Sequence, residues 1–264
     1  MPIRERILAM GITGSGKSYQ WLKLAEALLP TGAVFRCLDT DDAITYMLET
    51  QFPHLKPENK GNVYVWSASD WESLKAGTDQ ILKQSIKDND WLVIDMADAP
   101  WDSVQRYFTS EVFKTGIGEY FLQVRKEIEA SKKKVASVAR EALSGWTDWA
   151  VINKLYTDWI TPLIYRLKCH LYLATKVQEL GSKEDADIKE LYSELGVRPS
   201  GQKHLGHQVH TILLFIPGRG NWFITTCKDR AGRPYFKRTP LLSLYMQYFV
   251  AKANWPLITP GATV

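Results

Sequence analysis

Residues 11–18 read GITGSGKS, the G-x-x-x-x-G-K-[ST] pattern of a phosphate-binding P-loop. The pattern works in only one structural setting, between a buried strand and the start of a helix. Glycine lets the backbone curl so that successive N–H groups face one anion. The helix that follows turns its positive end toward the same anion. Both neighbours are legible. Ile7-Leu8-Ala9-Met10 reads as a buried strand, and Trp21, Leu22, Ala25, Leu28 and Leu29 fall on one helical face. A chance glycine-rich turn would not come with that order. The expected phosphate-binding residues are Gly11, Thr13, Gly14, Ser15, Gly16, Lys17, Ser18 and Tyr19. Lys17, in a loop expected to be exposed, reaches the β- and γ-phosphates, and the Ser18 hydroxyl binds Mg²⁺.

The chain has 264 residues, 45% hydrophobic and 23% charged, which suits one large α/β domain or a domain with an insertion. No run of about 18 apolar residues exists, so no transmembrane helix is expected. A strand and P-loop fill the N-terminus where a signal peptide would lie. The net charge of +4 permits nucleic-acid binding without arguing for it. Cys37, Cys169 and Cys227 lie in or beside strand-like runs and read as small buried residues in a reducing compartment.

Ala33 to Leu38 reads as a strand ending in the acidic cluster Asp39-Thr40-Asp41-Asp42. Carboxylates at a strand's C-terminal end stand where an open α/β sheet places its chemistry. They are also good helix N-caps, and one Asp can cap while another works. Val63 to Trp66 is a third strand, and Ser69 to Glu72 matches a capping box for a helix to about Lys87. Trp91-Leu92-Val93-Ile94-Asp95 is the Walker B pattern, a buried strand that delivers a metal-binding carboxylate. Met96 follows, so the water-activating carboxylate must come from elsewhere, and Asp41 is the natural candidate.

Residues 100–147 are helical in pattern, with Phe121, Val124, Ile128, Val135, Val138 and Ala142 at helical spacing and Gly145 as a stop. The basic face of Arg125, Lys126, Lys132, Lys133, Lys134 and Arg140 has Glu127, Glu129 and Glu141 interleaved, and a solvated face is preferred to a nucleic-acid contact. A second helix carries Ile152, Tyr156, Trp159, Ile160, Leu163 and Ile164, with a kink expected at Pro162. Trp146, Trp149 and Trp159 are expected to pack, not to stack on bases. His170 to Thr175 is the next strand. Thr175-Lys176-Val177-Gln178 is close to a guanine-reading motif, but Gln178 replaces the Asp that would accept from guanine, which argues against a GTPase. A polar group here could sense a γ-phosphate. Residues 179–207 read as a mobile loop with a short helix near Ile188 to Leu195. Lys203, His204 and His207 have no carboxylate at metal-ligand spacing and read as surface residues. His210 to Ile216 and Asn221 to Thr226 flank Pro217-Gly218-Arg219-Gly220, a hairpin signature. Lys228 and Arg230 follow, one residue apart and so on one face of a strand. They read equally well as a charged strand edge or as a contact to phosphate.

In their order, these motifs resemble the RecA-like recombinase ATPases, most of all the compact phage type associated with single-strand annealing. The resemblance covers most of the chain outside residues 100–147. It implies a single RecA-like domain over residues 1–264, with a helical insertion at about 100–147. The fold implied is α/β, a mostly parallel central sheet flanked by helices with a C-terminal hairpin. It implies ATP and Mg²⁺ as ligands, with Ser18 and Asp95 at the metal. Lys17, Asp41, Asp95, Lys228 and Arg230 form the implied catalytic set, the last two reaching a neighbouring subunit's ATP. In that family an acidic D-[TA]-E supplies a catalytic Glu, and here Asp41 holds the Glu place. Implied partners are single-stranded DNA, bound by loops at roughly 97–118 and 178–207, and further copies of the chain with ATP at the interfaces. No membrane is implied, and the cytoplasm (of the host, if phage-encoded) is the expected location. Two other P-loop classes stay open: a nucleic-acid translocase or packaging motor, and a small-molecule kinase.

Overall fold

The computed structural model describes residues 4–131, 145–219, 221–233 and 235–241. In chain order the elements are β1 (Arg6–Gly11), α1 (Lys17–Leu28), β2 (Phe35–Asp39), α2 (Ala43–Thr50), β3 (Val63–Ser67), α3 (Trp71–Leu82) and β4 (Trp91–Asp95). Then come α4 (Ala99–Phe113), α5 (Ile117–Ser131), α6 (Gly145–Tyr165), β5 (His170–Thr175), β6 (Val177–Glu179), α7 (Ala186–Tyr192) and β7 (Val197–Pro199). The last are α8 (Leu205–Gln208), β8 (Thr211–Pro217), β9 (Trp222–Asp229) and β10 (Thr239–Pro240).

Eight strands form one sheet in the order β10-β9-β8-β1-β5-β4-β2-β3. The pairs from β8 through β3 are parallel, while β9 and β10 join antiparallel at one edge. Parallel strands are buried on both faces, and successive side chains alternate between them. Ile7 and Ala9 of β1 thus join Trp21, Ala25 and Leu28 of α1 and Ile44 and Leu48 of α2 in one cluster. Leu8 and Met10 join Leu74 of α3, Val104 of α4, Ile160 and Leu163 of α6 and Ile188 of α7 in the other. The fold is therefore α/β, a large mostly parallel sheet flanked by helices, as the resemblance implied.

Register decides the function of this sheet. Asp39 pairs with Asp95, Asp95 with Ala174, and Met10 with Thr175. The ends of β2, β4, β5 and β1 therefore meet at one rim, where open α/β sheets place their ligands. Thr40 ties that rim together. Its N–H donates to the Asp95 carbonyl at 2.6 Å, and its Oγ1 accepts from the Met96 N–H at 2.6 Å.

Several local expectations shift. The capping box of α3 is Asp70 with Ser73, one residue beyond the expected one, and α3 ends at Leu82, not near Lys87. Gly145 is the first described residue of α6, and Pro162 lies inside it. Residues 132–144, with Val135, Val138, Ala142 and the basic residues Lys132 to Lys134 and Arg140, lie outside the described residues, as does the side chain of Trp146. Trp159 is buried and donates to Thr78 Oγ1 at 2.9 Å, and Trp149 stacks on Trp101. The expected loop at 179–207 is largely folded: β6 and β7 pair antiparallel, and the segment also forms α7 and α8. Cys37 and Cys169 are buried and Cys227 is partly so, all as free thiols. Among the described residues no helix is long and apolar enough to cross a membrane.

Candidate functional site

The P-loop curls between β1 and α1 with Gly14 at φ 76° and Gly16 at φ 90°, conformations that cost glycine least. Gly11 is required for space. A Cβ there would lie 2.5 Å from the Phe215 carbonyl oxygen on β8. Gly11 and Ser15 shape the loop from beneath, while Thr13, Gly14, Gly16, Lys17, Ser18 and Tyr19 line an adjoining cleft of about 490 Å³. The first N–H groups of α1 have no partner within the helix and open onto this cleft. Tyr19 packs edge-on against Phe52.

Lys17 is not in an exposed loop. It is the first residue of α1, only 5% exposed, and its ammonium folds back onto the Gly11 and Ile12 carbonyls at 2.9 and 3.0 Å. Burial lowers its pKa, against the pull of Asp95 and Asp98. The ammonium is thus parked on loop oxygens beside the place where a phosphate would rest.

Asp95 is buried at the end of β4, with Oδ2 accepting from Trp21 Nε1 at 2.9 Å and the Ser18 hydroxyl close beside the carboxylate. Desolvation raises its pKa to about 6 against those two neighbours. A hydroxyl and a carboxylate side by side are hard oxygen donors of the kind Mg²⁺ takes, so the residues present fit that ion. A nearby dication would also relieve the cost of ionising a buried carboxylate.

The acidic cluster divides its work. Asp39 is fully buried and its Oδ2 accepts from the Ile44 N–H at 3.1 Å, at the start of α2. Desolvation pushes its pKa up to about 7. Asp42 accepts from Ser67 at 3.0 Å. Asp41 is left exposed on the wall of the cleft, where its charge acts on Lys17 and Asp95.

Of the cleft residues outside the expected site set, Lys176, Trp222 and Met96 matter most, and Lys176 lies in the stretch expected to offer a polar group to a γ-phosphate. Lys176, just past β5, lines the cleft from between the P-loop strand and β4. Its place at the C-terminal end of the strand between them was the available signal. Gln178, the polar group two residues on, instead turns its amide toward Arg198 of β7. Trp222 closes the cleft from β9. Its Nε1 donates to the Gly14 carbonyl at 3.0 Å, and its ring lies 3.7 Å from the Cβ position of Gly16. Met96 lies at the base. No local pattern marks Trp222, because only the β8–β9 hairpin carries it back to the loop.

Lys228 and Arg230 lie at the other end of β9, roughly 20 Å along the strand from Trp222. Lys228 Nζ donates to the Gly206 carbonyl at 2.8 Å, and both cations reach the His207 carbonyl. They share a face, but the structure does not bring them to the P-loop of their own chain. Burial lowers the Lys228 pKa to about 8. A larger cleft, about 910 Å³, is lined by Glu190, Leu191, Cys227 and Phe236. It has no anion-binding loop, so the smaller cleft is the one suited to a nucleotide, and Asp187 and His207 also line the larger one.

No family model matches the sequence, and no curated protein matches it. Among solved structures, the crystal structure of the RadB recombinase aligns over 88% of this chain and 84% of its own, with 17% identity and a TM-score of 0.45. At that score the likeness has no weight, and the fold rests on the strand order and register above.

Proposed function

We propose that this chain is an Mg²⁺-dependent ATPase of the RecA-like class that acts on single-stranded DNA. The convergence of Lys17, Ser18 and Asp95 on one rim, with Asp41 across the cleft, supports the hydrolytic part. Lys17 leaves its loop carbonyls and holds the β- and γ-phosphates, with the loop N–H groups and Lys176 around them. Ser18 and Asp95 would hold Mg²⁺, which when bound would supply positive charge beside the phosphates. Asp41 is exposed on the cleft wall and accepts only a long bond from the Ala43 N–H at 3.4 Å, so its carboxylate can orient water and take its proton. Among the described residues no arginine lines the cleft, whereas a small-molecule kinase would bring an arginine-rich lid.

The DNA part rests on motif order, as does the phage type. The 179–207 segment is anchored at the cleft, since Ser200 N–H donates to the Lys176 carbonyl at 2.8 Å and Gly201 packs on Asp98. Its charge is mixed, six carboxylates (179, 184, 185, 187, 190, 194) against four cations (183, 189, 198, 203), so strand binding must draw on more than this segment. Lys228 and Arg230 stay outside the single-chain catalytic set; a role toward a neighbour's ATP belongs to the oligomeric part of the proposal.

The test is ATP turnover with and without single-stranded DNA over a range of salt. The expected result is stimulation that fades steeply as salt rises, because phosphate contacts release counterions. Turnover indifferent to DNA, with no binding at low salt, would transfer the reading to the kinase class.

A further inference from the structure

We infer that Asp187, His204 and His207 form a binding site for a divalent transition-metal ion of the zinc class. Each offers one ligand atom, and these atoms lie within 4.8 Å of one another. His204 and His207 are three apart on the turn that forms α8, which puts both rings on one side. Asp187, in the first turn of α7, reaches between them. Its Oδ2 is 3.2 Å from His207 Nε2 and 3.8 Å from His204 Nδ1. His207 Nε2 is buried and, although Asp187 Oδ2 lies 3.2 Å away, makes no well-aligned hydrogen bond, an arrangement that leaves polar free energy unrealised. A metal ion would satisfy it.

The surroundings fit a ligand set. The second ring nitrogen of His204, Nε2, is 3.9 Å from Asp185 Oδ2, and Lys203 holds that carboxylate at 2.6 Å. A carboxylate behind a ligating imidazole fixes its ring and raises its basicity. Two imidazoles and one carboxylate favour Zn²⁺, Co²⁺ or Ni²⁺ over Mg²⁺ and Ca²⁺. The three side chains are 37–52% exposed, so an ion can enter and water can complete its shell. Bound metal would tie α7 to α8 and so fix the excursion between β5 and β8. None of these three residues lines the P-loop cleft, so the site stands apart from the nucleotide reading.

A plain cluster of ion pairs would also place these groups together, and metal titration separates the two. The full chain, stripped with a chelator, is titrated calorimetrically with Zn²⁺ in a large excess of Mg²⁺. One Zn²⁺ per chain is expected, with a rise in thermal midpoint. The His204→Ala/His207→Ala double variant is expected to lose at least about 100-fold in affinity and the whole midpoint rise, and Asp185→Asn about tenfold. No stoichiometric uptake by the wild type, or equally tight binding by the folded double variant, would overturn the site. Imidazole NMR signals of the wild type give a second reading that needs no variant: those of His204 and His207 should shift with Zn²⁺ while that of His54 stays. Unmoved His204 and His207 signals would equally overturn it.

Discussion

At the scale of single residues, burial sets the charge state of several groups. His170 is buried, and its Nδ1 accepts from the Glu5 N–H at 3.0 Å. A ring that accepts there must be neutral, and desolvation lowers its pKa from 6.5 to about 4. The unfolded chain therefore binds the proton first. The stability tied to neutral His170 is complete above pH 6.5 and is lost as pH falls toward 4, about 3 kcal/mol in all. Asp39 and Asp95, raised to about 7 and about 6, act in the opposite sense, since the folded state holds their protons longer. Comparing wild type with His170→Gln cancels those carboxylates. Denaturant melts at pH 7 and pH 4 should show the wild type losing about 3 kcal/mol more than the variant; equal losses would mean that the ring is not held neutral. The same scale shows what the sequence could reveal about the site. Lys17, Ser18 and Asp95 were legible because a motif names them. The division between a capping Asp39 and an exposed Asp41 was legible only as an option, because both are aspartates at a strand end. The burial of Lys17 was not legible, because nothing in a motif says which loop oxygens the ammonium bonds.

At the scale of elements, long-range pairs hold what the sequence showed only as a turn. Arg233, in the turn after β9, is buried and forms two bonds to Glu5 at 2.9 and 3.1 Å. Its Nε donates to Asp229 at 2.7 Å and its Nη2 to Thr211 at 2.8 Å. One guanidinium thus joins the residue before β1, the start of β8 and the end of β9. Arg233→Met should cost about 3–5 kcal/mol, because it leaves Glu5 and Asp229 buried without their cation. Urea denaturation measures it, and a loss under 1 kcal/mol would show that water reaches the carboxylates. Ala231-Gly232-Arg233-Pro234 announces a turn but not which strands the turn clamps. The strands themselves were legible because apolar runs of that length have few alternatives. The 179–207 segment was not, since β6, β7 and α8 are three or four residues each and draw their order from packing against β5 and α7.

At the scale of the whole molecule, the site is a consequence of strand order. Inserting β5 between β1 and β4 separates the P-loop from Asp95 by one strand, and parallel register carries all three ends to the same rim. The α1 helix closes the triangle, since Trp21 donates to Asp95 and Ser18 stands beside the same carboxylate. The hairpin then brings Trp222 over the loop from the opposite side. Removing the Lys17 ammonium should leave this frame standing, because desolvation disfavours the buried charge and no strand pair or apolar core cluster includes the side chain. The most direct measurement is phosphate release from ATP and Mg²⁺ by wild type and by Lys17→Ala, each checked for an unchanged melting profile. Wild-type turnover that disappears with chelation of Mg²⁺ and falls at least about 100-fold in folded Lys17→Ala is the predicted result. A folded Lys17→Ala protein that releases phosphate at the wild-type rate would contradict the account.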